Sequence, residues 1–248
     1  MLLILPPSET KRDGGAPGSR LDLAALSFPA LTPQRSSALK ALGALSRNLR
    51  IATGALSLGP TQQHEVERNR EVLTSPVMPA LDRYTGVLYD GLRAAELTTA
   101  EREFANAHVV IHSALFGLSA AGDPIPAYRV SHNSRLPGLA LGKLWRTGIA
   151  AELAAHDGLI LDLRSEAYAS LGRAPAQEGS YYVRVVSQGA NGRRTALSHF
   201  NKKAKGEFTR AVISAGIVHP DLASLLAWAG KSGILLESGV AGEIDLVV

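Results

Sequence analysis

The chain contains no cysteine, and only 19% of its 248 residues are charged. The absence of thiols excludes disulfide bonds, iron–sulfur clusters, zinc fingers and a cysteine nucleophile. The hydrophobic fraction of 46% is enough for a packed core, and the low charged fraction argues against a disordered chain. A chain of this length forms one large domain or two small ones.

Long hydrophobic runs are also missing. No stretch approaches the roughly 20 apolar residues of a membrane span. The apolar start, Met1 to Leu5, has no basic residues before it and two prolines after it, so we expect no signal peptide. The sequence therefore predicts a soluble cytoplasmic protein with no membrane partner. The net charge of +4 is mild and permits a polyanionic partner without requiring one.

Motifs for metals and common cofactors are absent as well. The seven histidines are scattered, and no pair has the H-E-x-x-H spacing of a helical zinc site. The sequence contains no G-x-G-x-x-G, P-loop or G-x-S-x-G pattern. We therefore predict no metal site and no cofactor.

Apolar runs and turn signals predict an α/β fold with one mixed β-sheet and flanking helices. Two alternating segments, 181–187 and 194–200, predict a hairpin with its turn at 189–192. Residues 84–92 are aromatic and rich in glycine, which indicates a short strand or turn. The runs that predict buried strands are residues 2–5, 109–111, 159–161, 234–236 and 244–248.

Positive charge is concentrated between residues 184 and 210. This segment carries seven Lys or Arg and one Glu, a surplus of +6 that exceeds the +4 of the whole chain. Lys202, Lys205 and Arg210 have the spacing of one face of a predicted helix, near its start, where a bound phosphate would offset their repulsion by the helix dipole. A solvated helix face explains the pattern equally well. The residues that we predict to bind nucleic acid are Lys202, Lys203, Lys205, Arg210 and Arg194.

Polar residues follow two predicted strands. If these strands are parallel neighbours, the loop after Leu5 and the loop after Asp162 meet at one edge of the sheet. Exposed turns, a helix N-cap and a salt bridge are the simpler interpretations of the same residues. The candidates for catalysis are Ser8, Glu9, Lys11, Arg129, Asp162 and Lys202. The candidates for lining a ligand cleft are Tyr84, Tyr89, Tyr128, Ser165 and Glu166.

Several of these segments, taken in order, resemble the YaaA family of peroxide-stress proteins. The resemblance covers essentially the full chain. Many family members have lysine where this chain has Glu9, and often arginine where it has Lys205; lysine keeps the charge but loses bidentate geometry. The segments that carry the resemblance are 7–11, 84–92, 113–118, 123–129, 143–145, 162–168 and 200–206, with Arg210.

The resemblance implies a bacterial cytoplasmic protein that limits oxidative damage to DNA under hydrogen peroxide. It implies a single mixed α/β domain over residues 1–248, a basic cleft associated with DNA binding, and a helix-hairpin-helix-like element that we expect at 115–118. The predicted partner is DNA, recognised by its structure rather than its sequence, with a phosphorylated small molecule as a further ligand. The alternative function is an enzyme acting on a nucleobase, a nucleotide or a phosphorylated small molecule, such as a lysine-dependent lyase or glycosylase.

Overall fold

The computed structural model of the chain describes residues 1–188, 194–196 and 201–248, with the backbone alone at 188 and 194–196. The strands in these ranges are β1 (Leu2–Leu5), β2 (Met78–Pro79), β3 (Val109–Ser113), β4 (Gly117–Ala120), β5 (Pro124–Ile125), β6 (Ile160–Asp162), β7 (Ser180–Gln188), β8 (Arg194–Ala196), β9 (Leu236–Ser238) and β10 (Glu243–Val247). The α-helices are α1 (Thr32–Ser46), α2 (Leu49–Ala55), α3 (His64–Arg70), α4 (Ala80–Arg83), α5 (Val87–Leu92), α6 (Thr99–His108), α7 (Leu141–Ala154), α8 (Glu166–Ala169), α9 (Asn201–Ala215) and α10 (Leu222–Lys231).

The main sheet has the strand order β4-β3-β1-β6-β7-β10-β9, with β8 added on β7. β1 pairs in parallel with β3 and β6, and β7 pairs in parallel with β6 and β10. β4, β8 and β9 pair antiparallel with their neighbours. The predicted α/β fold with a mixed sheet is therefore confirmed.

The central strand β1 marks a reversal in strand order. The chain goes from β1 to β3 on one side, whereas β6 and the strands after it lie on the other. Residues Leu3 to Leu5 of β1 are fully buried, as expected for a strand that is covered on both faces. Loops that leave β1 and β6 diverge at such a reversal, and open α/β sheets bind ligands in the crevice between them.

Helices α5 and α9 pack backbone against backbone. A Cβ atom added to Gly206 would lie 1.9 Å from the carbonyl oxygen of Leu88, and one added to Gly91 would lie 2.8 Å from that of Lys203. The expectation of a strand or turn at 84–92 is therefore wrong. The glycines there do not mark a turn: Gly86, with a φ of +98°, precedes helix α5, and Gly91 permits its contact with α9.

Two hairpin predictions have different outcomes. β7 and β8 pair antiparallel as expected, while the predicted turn at 189–192 lies outside the described residues. Residues 114–116 connect the antiparallel strands β3 and β4, and Gly117 and Leu118 already belong to β4, so placing the helix-hairpin-helix-like element at 115–118 is wrong. The element itself stays a prediction. Among the described residues, no helix has the length and apolar character needed to cross a membrane.

Candidate functional site

A cleft of about 440 Å³ lies at the carboxyl ends of β1 and β6, where the strand order reverses. We call its two sides the β1 wall, residues 6–9, and the α9 wall, which consists of Asn201, Lys202 and Lys205. The start of α5 and the loop after β6 complete the lining. Of the predicted site residues, the structure brings Ser8, Glu9, Tyr89, Ser165, Glu166, Lys202 and Lys205 into this cleft.

The carboxylates of the cleft already have partners. Arg129 Nη1 lies 2.7 Å from Glu9 Oε2 and also donates to the Glu9 carbonyl at 3.2 Å. Arg173 pairs with Glu166. The charge of Arg129 is thus paired with that of Glu9. This is the salt bridge that the sequence offered as the simpler interpretation, and not a binding group for a ligand. Because both carboxylates are neutralised, the lysines of the opposite wall give the cleft a positive surplus.

Lys11 lies beneath the β1 wall and does not line the cleft. Its Nζ donates to the carbonyls of Ser8 and Glu9 at 2.9 and 3.3 Å and lies 4.2 Å from the ring centroid of Tyr128. Burial lowers the pKa of Lys11 to about 7, and the nearby Glu9 carboxylate opposes that effect. The bonds of Lys11 to its own loop hold that loop in shape.

Two of the predicted cleft tyrosines also lie below the surface. The hydroxyls of Tyr84 and Tyr128 are 2.7 Å apart, and that of Tyr128 lies 2.6 Å from Ser113 Oγ. Burial raises the pKa of Tyr84 to about 12, so these hydroxyls stay neutral. Only Tyr89 of the three predicted tyrosines lines the cleft, with its hydroxyl donating to the Pro6 carbonyl at 2.8 Å.

Asp162, the last residue of β6, forms a buried ion pair with Arg164. Its carboxylate accepts from Nε and Nη2 of Arg164 at 2.8 and 2.6 Å. Nη1 of the same arginine donates to His112 Nδ1 at 2.7 Å, so the proton of His112 resides on Nε2. Burial and the arginine hold the pKa of His112 well below its usual value. The strands β1 and β6 are parallel neighbours, as the prediction required, and Ser165 and Glu166 meet the β1 wall in the cleft. The Asp162 carboxylate does not, because it is bound to Arg164.

The α9 wall presents two lysines of different character. Lys202 is exposed and forms no ion pair within the described part of the chain. Lys205 is only 4% exposed, and among the described residues its Nζ makes one hydrogen bond, to the Arg164 carbonyl at 3.3 Å. The same Nζ lies 5.3 Å from the ring centroid of Tyr182. Burial lowers the pKa of Lys205 to about 8, with Asp162 acting in the opposite direction.

The other cations of the predicted basic stretch point elsewhere. Lys203 lies 3.4 Å from Glu207, and Arg210 lies 3.7 Å from Glu101 of α6 while donating to the Arg93 carbonyl at 3.1 Å. The prediction that Arg210 shares one face with Lys202 and Lys205 is therefore wrong. The side chain of Arg194 lies outside the described residues.

Sequence reasoning missed several residues that shape the cleft. Arg164 follows Asp162 by two positions, a spacing that signals a strand-end ion pair, but its burial depends on the sheet. Tyr168, Tyr182 and His132 come from three separate segments, and no local pattern joins them. His132 and Tyr168 meet edge to face, with centroids 5.4 Å apart.

Comparison with known proteins agrees with the earlier resemblance. The family description "Peroxide stress protein YaaA" matches residues 1–230. The chain belongs to the YaaA family. A UPF0246 protein of Corynebacterium efficiens is 45% identical over 220 residues, which is 87% of this chain and 86% of that protein. A UPF0246 protein of Corynebacterium glutamicum is 41% identical over 243 residues, 96% of this chain and 95% of that protein.

A third relative covers a similar share of the chain. A UPF0246 protein of Streptomyces coelicolor is 40% identical over 220 residues, 87% of this chain and 84% of its own length. The YaaA match includes the β1 wall, the start of α5, the loop after β6 and the α9 wall, because all of them lie within residues 1–230.

Proposed function

We propose that this YaaA-family protein binds DNA through the α9 wall of its cleft and thereby helps to limit oxidative damage to DNA under peroxide stress. The observation that carries the proposal is the position of Lys202, exposed in the first turn of α9 and without an ion-pair partner in the described ranges. Contacts between such cations and phosphates supply affinity that depends little on base sequence.

The electrostatics of the cleft support an anionic partner. Glu9 and Glu166 are paired with arginines, so they add little repulsion, and Lys205 adds a second cation beside Lys202. The N-terminus of α9 also favours negative charge. Together these features make the α9 wall the most suitable part of the cleft for a phosphate.

Fluorescence anisotropy of labelled duplex and bubble DNA at several salt concentrations tests the proposal. We expect binding whose logarithm falls linearly with the logarithm of salt, with a slope near −0.9 for each phosphate contact on duplex DNA. A folded protein that binds neither DNA at low salt would contradict DNA binding.

A second function is favoured by Lys205. An amine that is buried, lines a cleft and has a pKa of about 8 is closer to a nucleophile than an ordinary lysine. In a lyase, its Nζ would attack an aldehyde carbon of the ligand and water would leave as the imine forms. We expect borohydride to reduce that imine to a stable adduct with abasic-site DNA in the native protein and not in Lys205→Arg. Adduct formation that persists in Lys205→Arg would exclude this lysine.

A further inference from the structure

We propose that the cleft holds a single unstacked nucleotide, with its phosphate at Lys202 and its base at His132 and Tyr168. This inference deepens the proposed function, since it names the unit of the nucleic acid that enters the site. It applies equally to a nucleotide within a strand and to a mononucleotide in solution.

The size of the cleft limits what can enter it. About 440 Å³ is within the range of sites for small molecules and cannot enclose a base pair in a duplex. Proteins that act on or inspect a base inside a duplex take that base out of the stack into a pocket of this kind. The surrounding phosphates would then lie outside the cleft, near its rim.

One end of the cleft suits an anion. Asn201 begins a helix of 15 residues, and Lys202 follows it in the first turn. Lys205 is 4% exposed and lines the same cleft; within the described part of the chain it has a single hydrogen bond, to a carbonyl, which leaves donors on its Nζ when protonated. A helix start, an exposed lysine and a buried lysine therefore meet at this end.

Aromatic side chains form another part of the lining. His132 is exposed and contacts the nearly buried ring of Tyr168, and the ring of Tyr89 stacks on Tyr84 with centroids 5.3 Å apart. Ser8 and Ser165 place hydroxyls in the same lining, where they can bond to the polar edge of a base. A ligand with one phosphate and one flat heteroaromatic ring matches both groups of residues, whereas a sugar phosphate uses only the lysines.

Three DNA duplexes and one mononucleotide test the inference. The duplexes are fully paired, contain one bulged adenosine, or contain the same bulge without its base. We expect the bulged adenosine to bind about tenfold more tightly than paired DNA, because stacking on aromatic side chains contributes this much per base. The baseless bulge should lose most of that gain. His132→Ala should remove the preference, and the matched variant His132→Phe should keep it.

A separate arm measures binding of adenosine monophosphate by calorimetry with the native protein and Lys202→Ala. A preference for the bulged base, or mononucleotide binding that Lys202→Ala weakens, supports the inference. Equal affinity for all three duplexes together with no mononucleotide binding overturns it and leaves DNA binding standing. Mononucleotide binding without any duplex binding supports the inference and contradicts the proposed function, so the two fail separately.

Discussion

Two buried lysines lie on opposite sides of the cleft in different surroundings. Beneath the β1 wall, the Nζ of Lys11 contacts two carbonyls, at 2.9 and 3.3 Å, and an aromatic ring. On the α9 wall, Lys205 lines the cleft, and among the described residues its Nζ contacts one carbonyl, at 3.3 Å. Both amines are buried and both have lowered pKa values. The difference lies in what remains available to a ligand. A lysine that is satisfied by its own loop supports the fold, and a lysine that lines a cleft with spare donors can support binding.

The largest expected effect comes from a substitution that forces helix α9 away from α5. In Gly206→Ala the new methyl group would lie 1.9 Å from the Leu88 carbonyl, so α9 must separate from α5. We expect a loss of about 3 kcal/mol or more in the free energy of unfolding, measured by urea denaturation. The control is Gly230→Ala in α10, where the added methyl meets open space and should be neutral or slightly stabilising. Similar stability of both variants would contradict the proposed packing.

A smaller loss of stability should follow from changes on the β1 wall. Lys11→Met removes the donor that bonds the Ser8 and Glu9 carbonyls. Leaving these groups without their partner should cost about 1–3 kcal/mol at pH 10, where the folded protein holds the amine neutral and its burial no longer offsets the loss. Urea denaturation measures the loss, and an unchanged midpoint would show that Lys11 does not hold the loop.

The lowered pKa of Lys11 should also make the free energy of unfolding depend on pH. Burial lowers the pKa of Lys11 from 10.5 to about 7, so between these values the unfolded chain binds more protons than the folded one. Stability from this group therefore rises with pH across that window, by up to about 1.4 kcal/mol per pH unit. Urea denaturation from pH 7 to 10 should show a steeper rise for the native protein than for Lys11→Met. Parallel curves would argue against a buried, deprotonating amine.

The smallest effects should come from cations outside the cleft. Lys203 and Arg210 already pair with Glu207 and Glu101, so Lys203→Ala and Arg210→Ala should change DNA affinity by no more than about twofold. Anisotropy titrations at fixed salt measure this. A large loss in either variant would extend the binding surface beyond the α9 wall.

Local signals in the sequence predicted much of the fold. The spacing of Thr98 and Glu101 predicts a capping box, and the structure has one at the start of α6, with bonds of 2.7 and 3.3 Å. Asn201 as a cap and Gly216 as a stop predict a helix that runs to Ala215; α9 is Asn201–Ala215, followed by Gly216 with a φ of +61°. These features depend on residues a few positions apart, which is why sequence alone identifies them.

The site was predicted less completely because its chemistry depends on distant contacts. Lys202 and Lys205 are three residues apart, yet one is exposed and the other lies against Arg164 and Tyr182. Helical spacing alone cannot show which side of α9 contacts the sheet. Gly206 lies in the segment 200–206, which carries the family resemblance. Its close contact with Leu88 depends on how α5 and α9 pack together, and the local sequence does not show that packing.

The most direct test of the account compares neighbouring lysines of α9. Lys202 lines the cleft and Lys203 does not, although both are exposed and carry the same charge. We predict that Lys202→Ala binds duplex DNA about tenfold more weakly and reduces the magnitude of the salt slope by about 0.9, the value for one phosphate contact, while Lys203→Ala keeps both affinity and slope. Equal losses in the two folded variants would contradict the account, because binding would then follow the charge of the helix and not its position in the cleft.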